Sequence, residues 1–298
     1  MPYFLGIDGG GSKTSAVLGD AGRERARAEG PSCKIQNVGE AAARAALQEV
    51  ILQACRKAGI RPEDITAATV GISGASDPEI TKRLSRLVSD LTGARVQVVG
   101  DNVVALEAAF GPGPGVVVIA GTGSIAHGRN QEGLEARAGG FGPAISDEGS
   151  GVWIGRRAVR AAAAGESPEL ARAALALWQL SSVAELVARA NAVPAAEFAR
   201  LFPSVVAAAA ADDPAALRVL QEAARELAVL AKAVISRLWA GASVQVAMAG
   251  GVFANSEQVR SSFRDQIHRF SEHLRVSEAV ADPALGALAL ARRGAACC

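Results

Sequence analysis

The residues most able to do chemistry lie in a glycine-rich loop near the start of the chain. Residues 6–14 read GIDGGGSKT and join two short apolar runs that are typical of strands. Glycines let backbone N–H groups approach phosphate oxygens closely, and a concave run of amides forms an anion-binding nest. The residues that we expect to bind phosphate are Gly9, Gly10, Gly11, Ser12, Lys13 and Thr14. Asp8 offers a carboxylate of the kind that Mg²⁺ prefers, and we expect it to hold that ion through water.

Other interpretations of this loop fit less well. In a Walker A loop a lysine would stand at Ser12 and a helix would follow, whereas the dinucleotide pattern G-x-G-x-x-G would need glycine at Thr14. A plain hairpin turn remains an alternative, although such a turn needs only two residues such as Asn-Gly. Three glycines between an acid and two hydroxyl residues exceed that requirement.

Two further glycine elements follow apolar, β-branched runs that are typical of buried strands. After residues 116–120 come Gly121, Thr122, Gly123 and Ser124, which repeat the order of strand, glycine-hydroxyl turn and strand. After residues 244–248, Gly250 and Gly251 lead towards a helix through Asn255, and a plain strand-to-helix turn is the alternative interpretation. Two similar hairpins predict two half-domains that face each other across a cleft.

The sequence also resembles a known family. Residues 139–155 read GGFGPAISDEGSGVWIG, and the three glycine elements precede and follow this segment in a characteristic order. That order resembles the actin-like ATPase superfamily, and the segment resembles the signature of the N-acetylglucosamine kinase and BadF/BadG/BcrA/BcrD ATPase family, over residues 6–287. The resemblance implies an α/β, two-domain actin-like ATPase (ribonuclease H-like) fold with mixed sheets flanked by helices and an active site in the interdomain cleft. It implies ATP and Mg²⁺ as cofactors and a homodimer.

The glycine- and proline-rich run at 111–115 is the clearest linker and predicts the domain boundary. We expect an N-terminal domain over residues 1–112 and a C-terminal domain over 113–282 with a helical insertion at about 152–240. Ser-Pro at 167–168, a capping-box spacing at 182–185 and Asp-Pro at 213–214 predict helix starts within that insertion. The resemblance implies that a last helix, at about 283–298, packs back near the domain hinge.

Phosphoryl transfer needs positioning, charge neutralisation and a base near the acceptor hydroxyl. Asp101 follows the strand predicted at 96–99, from which it can act as that base, although Asp is also a frequent helix N-cap. The match to the family's catalytic aspartate favours the base. By resemblance, Ala209 lies beside adenine, and all three glycine elements bind ATP. The residues implied to contact the sugar are Asn37, Ser73, Gly74, Asp101, Asn102, Gly140, Phe141, Asp147 and Glu148.

One departure from the family pattern leaves the sugar open. N-acetylglucosamine kinases of the family often carry Asn followed by an aromatic residue shortly after Gly-x-Ser, whereas residues 30–37 here read GPSCKIQN. Asn37 therefore stands in a shifted position. N-acetylglucosamine, glucosamine and N-acetylmuramic acid all remain candidate substrates.

Net charge, hydropathy and cysteine spacing argue against several classes of partner and cofactor. The 298 residues carry a net charge of +1, so we expect no attraction to nucleic acid or acidic membranes. No apolar stretch reaches the ~18 residues of a membrane span, and the chain opens on a strand rather than a signal peptide, so a cytoplasmic enzyme is expected. Cys33, Cys55, Cys297 and Cys298 show neither metal-ligand nor disulfide spacing, and we interpret the last two as a frayed tail.

Three functions follow from these observations. The first is an ATP-dependent kinase, a phosphotransferase with an alcohol acceptor, that acts on an amino-sugar hydroxyl, with O6 the expected position. The second is an ATPase that activates a 2-hydroxyacyl-CoA dehydratase, but Cys33 and Cys55 do not form the paired loops that an iron–sulfur cluster between two subunits requires. The third is a non-catalytic sugar sensor, for which we find no basic recognition helix.

Overall fold

The computed structural model describes residues 2–239 and 243–296. The chain divides into two compact units, Met1–Gly113 with Ala281–Cys298, and Pro114–Val280. The division falls within the predicted linker at 111–115. Cys297 and Cys298, which we interpreted as a frayed tail, lie outside the described residues.

The first unit is built on a five-stranded mixed sheet of order β3-β2-β1-β4-β5. The strands β1, β2 and β3 form an antiparallel meander, and β4 and β5 add in parallel to β1. The strands are β1 (Tyr3–Gly9), β2 (Lys13–Gly19), β3 (Glu24–Pro31), β4 (Ile65–Ile72) and β5 (Arg95–Val99). The helices are α1 (Ile35–Val38), α2 (Glu40–Ala58), α3 (Pro78–Thr92) and α4 (Asp101–Phe110), with a 3-10 helix at Pro62–Asp64.

The sequence of α2 explains how the core of this unit forms. Its buried residues recur every three or four positions, so that one apolar face packs on β2 and β3. They are Ala43, Ala46, Leu47, Val50, Ile51, Ala54 and Cys55. The helix ends at Gly59, whose φ of 71° is the left-handed conformation that glycine adopts without strain. Helix α3 begins after Asp77, which accepts a bond from the Glu79 N–H.

The second unit repeats the mixed sheet in the order β10-β9-β6-β7-β8, with β6 parallel to β9 and antiparallel to β7. Its strands are β6 (Gly115–Ala120), β7 (Ser124–Arg129), β8 (Glu135–Gly139), β9 (Val244–Ala249) and β10 (Leu274–Ala281). Its helices are α5 (Gly151–Ala163), α6 (Pro168–Trp178), α7 (Val183–Ala192), α8 (Phe202–Ala210), α9 (Pro214–Leu238), α10 (Gly251–Asn255) and α11 (Glu257–Phe270), and a 3-10 helix spans Ala195–Leu201.

Helix caps predicted from sequence begin three of these helices. Ser167 accepts a bond from the N–H of the third helical residue of α6, and Asp213 does the same for α9. At α7 the Ser182 hydroxyl accepts from the Glu185 N–H, but the Glu185 carboxylate accepts from the Ser181 N–H rather than from Ser182. The capping box is therefore shifted by one residue on its reciprocal side.

The last helix, α12 (Pro283–Ala296), returns to the first unit and packs on β1, β4 and α4. The approach is close enough that only glycine fits at two points. A Cβ atom on Gly6 would lie 2.2 Å from the backbone nitrogen of Leu288, and one on Gly286 would lie 1.9 Å from the carbonyl oxygen of Val104.

Two mixed five-stranded sheets, each flanked by helices, confirm the predicted α/β class with mixed sheets. Among the described residues, no single helix is long and apolar enough to cross a membrane. Helices α6 and α7 meet the length and composition requirement only as a pair, and that pair is bent by 59°.

Candidate active site

The register of the first sheet brings three predicted site segments to one edge. Asp8 of β1 lies opposite Gly71 of β4, and Gly71 lies opposite Val99 of β5. All three strands run parallel, so the residues that follow them meet at their carboxyl ends. Ser73 follows β4 and Asp101 follows β5, and both therefore lie at the end of the sheet where Asp8, the second-last residue of β1, is found. Ligands of open α/β sheets bind at this edge.

Two carboxylates at this edge have raised proton affinity. Burial raises the pKa of Asp8 to about 7, with a smaller contribution from the negative charges of Asp101 and Asp282 and an opposing one from Lys13. Burial also raises the pKa of Asp101, against hydrogen bonding from the Asn102 N–H and the charge of Lys34. A carboxylate with raised pKa is what a general base requires.

The position of Asp101 at the start of α4 differs from that of a simple N-cap. Gly100 is the capping residue, and Asp101 is the first residue of the helix. Its Oδ1 accepts a bond of 2.9 Å from the Asn102 N–H. The Asn102 side chain folds over Gly100, where a Cβ atom would lie 2.3 Å from its Oδ1. The N-cap alternative for Asp101 is therefore wrong.

The first glycine loop is closed by its own backbone and held by the segment after β3. The Gly10 N–H donates to the Lys13 carbonyl at 2.9 Å. The Ser32 hydroxyl donates to the Gly10 carbonyl at 2.8 Å, and the Cys33 N–H donates to Oγ1 of Thr14 at 2.9 Å. Gly11 and Ser12 form the turn between β1 and β2.

Glycine at position 9 is required by close packing. A Cβ atom there would lie 2.9 Å from the sulfur of Cys33, which is fully buried. At the other end of the loop, Lys13 forms an ion pair of 2.7 Å with Glu29 on β3. Both side chains are more than half exposed, so this contact orients Lys13 more than it stabilises the fold.

Two of the predicted sugar contacts of this unit, Gly74 and Asn37, lie at α1. Gly74, with φ of 87°, approaches the side chain of Gln36 so closely that a Cβ atom would lie 2.7 Å from its Nε2. Asn37 is exposed in the same short helix. Sequence reasoning did not select Gln36, Lys34 or Asp282. The only signal available for Lys34 was that lysine is rare in this chain, at five positions.

The second glycine loop is held by the acidic segment that follows β8. The Gly121 N–H donates to the Gly123 carbonyl at 2.9 Å, which closes the turn. Oδ1 of Asp147 accepts a bond of 3.0 Å from the Ser124 N–H, and the Ser124 hydroxyl donates to the Glu148 carbonyl at 2.7 Å. A Cβ atom on Gly123 would lie 2.8 Å from Asp147 Oδ1.

Asp147 is buried and has φ of 76°, a backbone conformation that Asp tolerates better than most residues. One oxygen of its carboxylate bonds to the second glycine loop. The family resemblance implied that Asp147 contacts the sugar, and that contact stays a prediction. Helix α5 adds to the same support, because the Gly151 N–H donates to the Gly121 carbonyl and the Val152 N–H to the Thr122 carbonyl. The acidic segment therefore braces the loop.

The third glycine element packs directly on the second. Gly250 has φ of 93°, and a Cβ atom there would lie 2.5 Å from the carbonyl oxygen of Ala120, the last residue of β6. Gly251 begins α10, and the Asn255 side chain donates to its carbonyl at 2.8 Å. Both glycine elements thus lie at the same end of the second sheet.

Two other predicted positions have contrasting environments. Ala209 is 1% exposed within the core of the second unit, so its methyl group has no surface to offer an adenine ring, and that assignment is corrected. Phe141 is 57% exposed, with the Arg137 guanidinium 5.8 Å from its ring centre. Gly140, before it, has φ of 74°, and a Cβ atom there would lie 2.8 Å from Cδ1 of Ile125.

Known proteins resemble the chain over nearly its whole length. It is 34% identical to the N-acetylmuramic acid/N-acetylglucosamine kinase of Clostridium acetobutylicum over 303 residues, covering 98% of this chain and 99% of that protein. It is 35% identical to the N-acetyl-D-glucosamine kinase of Dictyostelium discoideum over 254 residues, covering 79% and 80%. The structure of a candidate N-acetylglucosamine kinase from Chromobacterium violaceum superposes with a TM-score of 0.76 at 29% identity, covering 97% and 99%.

The resemblance inferred from the three glycine elements and the segment at 139–155 is confirmed by these relatives. The family match itself extends over residues 5–291. The chain belongs to the BadF/BadG/BcrA/BcrD ATPase family.

Proposed function

We propose that the protein is an ATP-dependent kinase that phosphorylates a hydroxyl group of N-acetylglucosamine or N-acetylmuramic acid. The observation that carries this proposal is Asp101, a partly buried carboxylate of raised pKa at the end of the sheet where the first glycine loop begins. The names of the two curated relatives support an amino sugar as the acceptor.

Asp101 is the proposed base. It accepts the proton of the sugar hydroxyl, O6 in our proposal, as that oxygen attacks the terminal phosphorus of ATP. The positive charge of Lys34 lowers the pKa of Asp101 and so opposes the rise that burial causes. Asn102, Ser73, Gly74 and the α1 residue Asn37 are the proposed sugar contacts of the first unit.

Glycine-rich backbone is the proposed means of binding the ATP phosphates. The turn at residues 9–14 after β1 and the turn at 121–124 after β6 are the proposed phosphate-binding segments, and Gly11 and Gly123 place backbone at the centre of each turn. Apart from Lys13, the side chains of these two loops are small or absent, so that phosphate oxygens can approach the backbone. Phe141, which is exposed in the glycine-rich segment that precedes Glu148, is the proposed apolar surface for the sugar ring in the second unit.

Asp8 is the residue that would hold Mg²⁺. Mg²⁺ commonly takes one or two protein carboxylates and completes its shell with water and substrate phosphates. The negative charges of Asp101 and Asp282, which add to the effect of burial on the Asp8 pKa, support a cation at this position, so the residues fit the ion. When bound, the ion would neutralise charge on the transferred phosphoryl group.

Release of ADP from MgATP, measured with a panel of sugars, tests the proposal. We expect stimulation by N-acetylglucosamine, N-acetylmuramic acid or both, and little by glucose or glucosamine. Phosphorus NMR of the product then assigns the phosphorylated oxygen. Hydrolysis that no sugar stimulates would contradict a kinase.

The two alternative functions, an activator ATPase and a sugar sensor, make different predictions for the same protein sample. Cys33 and Cys55 are both buried, so neither sulfur is exposed to a second subunit for a shared cluster. Stoichiometric iron in the isolated protein would support the activator, whereas sugar binding without ADP release would support the sensor. Light scattering of the same sample tests the proposed homodimer.

A further inference from the structure

The second unit contains an arginine-lined cavity of about 130 Å³ that the proposed kinase reaction does not use. It lies where the second half of α5 packs against the first half of α9. Its charged lining consists of Arg157, Arg160, Glu166, Arg218 and Glu222. One water needs about 10–15 Å³ of such volume, so this cavity accommodates several waters or one phosphate group.

The charges of the cavity favour an anion. Arg218 is bonded to Glu166, so that pair is neutral. Within the residues that the structure describes, Arg157 and Arg160 have no carboxylate at ion-pair distance, and Glu222 is the one remaining acid of the lining. Two guanidinium groups therefore face a single carboxylate. Guanidinium groups bind phosphate through paired N–H donors, which a solvated ammonium does not match.

The walls of the cavity are held in place. The Arg157 guanidinium lies 4.7 Å from the ring centre of Trp153, a cation–π contact that fixes its plane. The Ser167 hydroxyl, next to Glu166, bonds to Oδ2 of Asp213 at 2.6 Å and ties the start of α6 to the start of α9. These contacts reduce the ordering that Arg157 and the segment of Glu166 would need when a ligand binds.

The cavity is separate from the second glycine loop. That loop contacts the first two residues of α5, whereas Arg160 lies nine residues after Gly151. At 1.5 Å per residue this is roughly 14 Å along the helix. A phosphate group in the cavity would therefore occupy a second site within the same unit.

We propose that this cavity binds a phosphate group, either inorganic phosphate or a phosphate monoester, through Arg157, Arg160 and Arg218. The proposal does not depend on the kinase assignment. Titration calorimetry with inorganic phosphate, at constant ionic strength maintained with chloride, measures it directly. We expect Arg157→Gln and Arg160→Gln each to weaken phosphate binding about tenfold or more, because each removes charge-assisted hydrogen bonds.

Arg189→Gln is the matched control, since Arg189 is exposed in the last turn of α7 as Arg160 is in the last turn of α5. Lys13→Gln reports phosphate bound at the first glycine loop instead. Both should bind phosphate at the cavity as the unsubstituted protein does. Equal binding by Arg157→Gln, Arg160→Gln and the unsubstituted protein, or no phosphate binding at all, would overturn the proposal.

A parallel titration with glucosamine 6-phosphate distinguishes the two sources of the group. Tighter binding of this ester, lost in Arg160→Gln, supports a monoester ligand. Tighter binding of inorganic phosphate, lost in the same variant, supports free phosphate and indicates that the cavity excludes the sugar.

Discussion

The first and second glycine loops have the same order of strand, turn and strand, but they are held in place differently. The first is supported by Ser32 and Cys33, which follow the next strand of the same meander, and it carries its own charges at Asp8 and Lys13. The second carries no charge and is supported by Asp147 and Glu148 from a segment beyond the next strand. Both supports come from the segment after the third strand of the meander, but the first loop contains its own charges, whereas the second takes its shape from a carboxylate outside the loop.

This difference predicts that the first loop contributes ionisable groups to the reaction, whereas the second contributes only the position of its backbone. Substitutions around the first loop should change turnover and the response to pH, because ionisable groups lie there. Substitutions in the support of the second loop should change nucleotide binding, because only the direction of its N–H groups is affected.

The largest effect is expected from removing the proposed base. Asp101→Asn keeps the shape of the side chain but cannot accept the sugar proton, so we expect kcat to fall by at least ~100-fold with little change in ATP binding. Steady-state ADP release and nucleotide titration measure the two. Asp90→Asn, an exposed substitution on α3, serves as the control. Turnover of Asp101→Asn close to that of this control would exclude a base at position 101.

A large effect on stability alone is expected where α12 packs on the first unit. Gly286→Ala places a methyl group against the Val104 carbonyl, and we expect it to destabilise the fold by about 1–3 kcal/mol or more. Gly294→Ala on the same helix meets no atom within 4 Å and should be neutral or stabilising by about 0.5–1 kcal/mol. Denaturant unfolding compares them. Equal stability of the two variants would show that α12 does not pack as closely as described.

An intermediate effect is expected from Asp147→Gly, which removes the carboxylate but tolerates the positive φ. Loss of the bond to the Ser124 N–H should raise KM for MgATP about tenfold, with a smaller change in KM for the sugar. Asp147→Asn, which keeps an acceptor oxygen and also tolerates this φ, should change KM less. A rise confined to the sugar KM would instead support the contact that the family resemblance implies.

The smallest effect is expected in the pH dependence of stability without Mg²⁺. The Asp8 pKa of about 7 in the folded protein lies above the ordinary value of 3.8, so the folded state binds the proton more tightly. The stability gained is complete below pH 3.8 and is lost as pH rises through about 7. We expect Tm to fall on the order of a few degrees between pH 5 and 8, measured in chelator.

Asp8→Asn should flatten this slope, and the slope that remains would reflect Asp101, whose pKa burial also raises. A slope that is unchanged in Asp8→Asn would show that Asp8 does not titrate in this range.

Features determined by neighbouring residues could be predicted from sequence. The apolar runs before Gly121 and Gly250 predict buried strands, and Ser167 and Asp213 predict helix starts, because hydrophobic periodicity and caps act over a few residues. The glycines of the first loop belong to the same class. Resemblance to the family then supplied the two-domain fold, the proposed base and the proposed sugar contacts.

Features that depend on contacts between distant segments required the tertiary structure. The bond from the Ser124 N–H to the Asp147 carboxylate was not predicted, because it depends on the chain after β8 folding back onto the turn between β6 and β7. Ala209 lies in the core because α8 packs between other helices, which no local pattern reveals. Asp282 influences Asp8 from the far end of the chain. Local propensity specifies each strand, turn and cap, but electrostatic coupling and burial arise only when segments far apart in sequence are brought together.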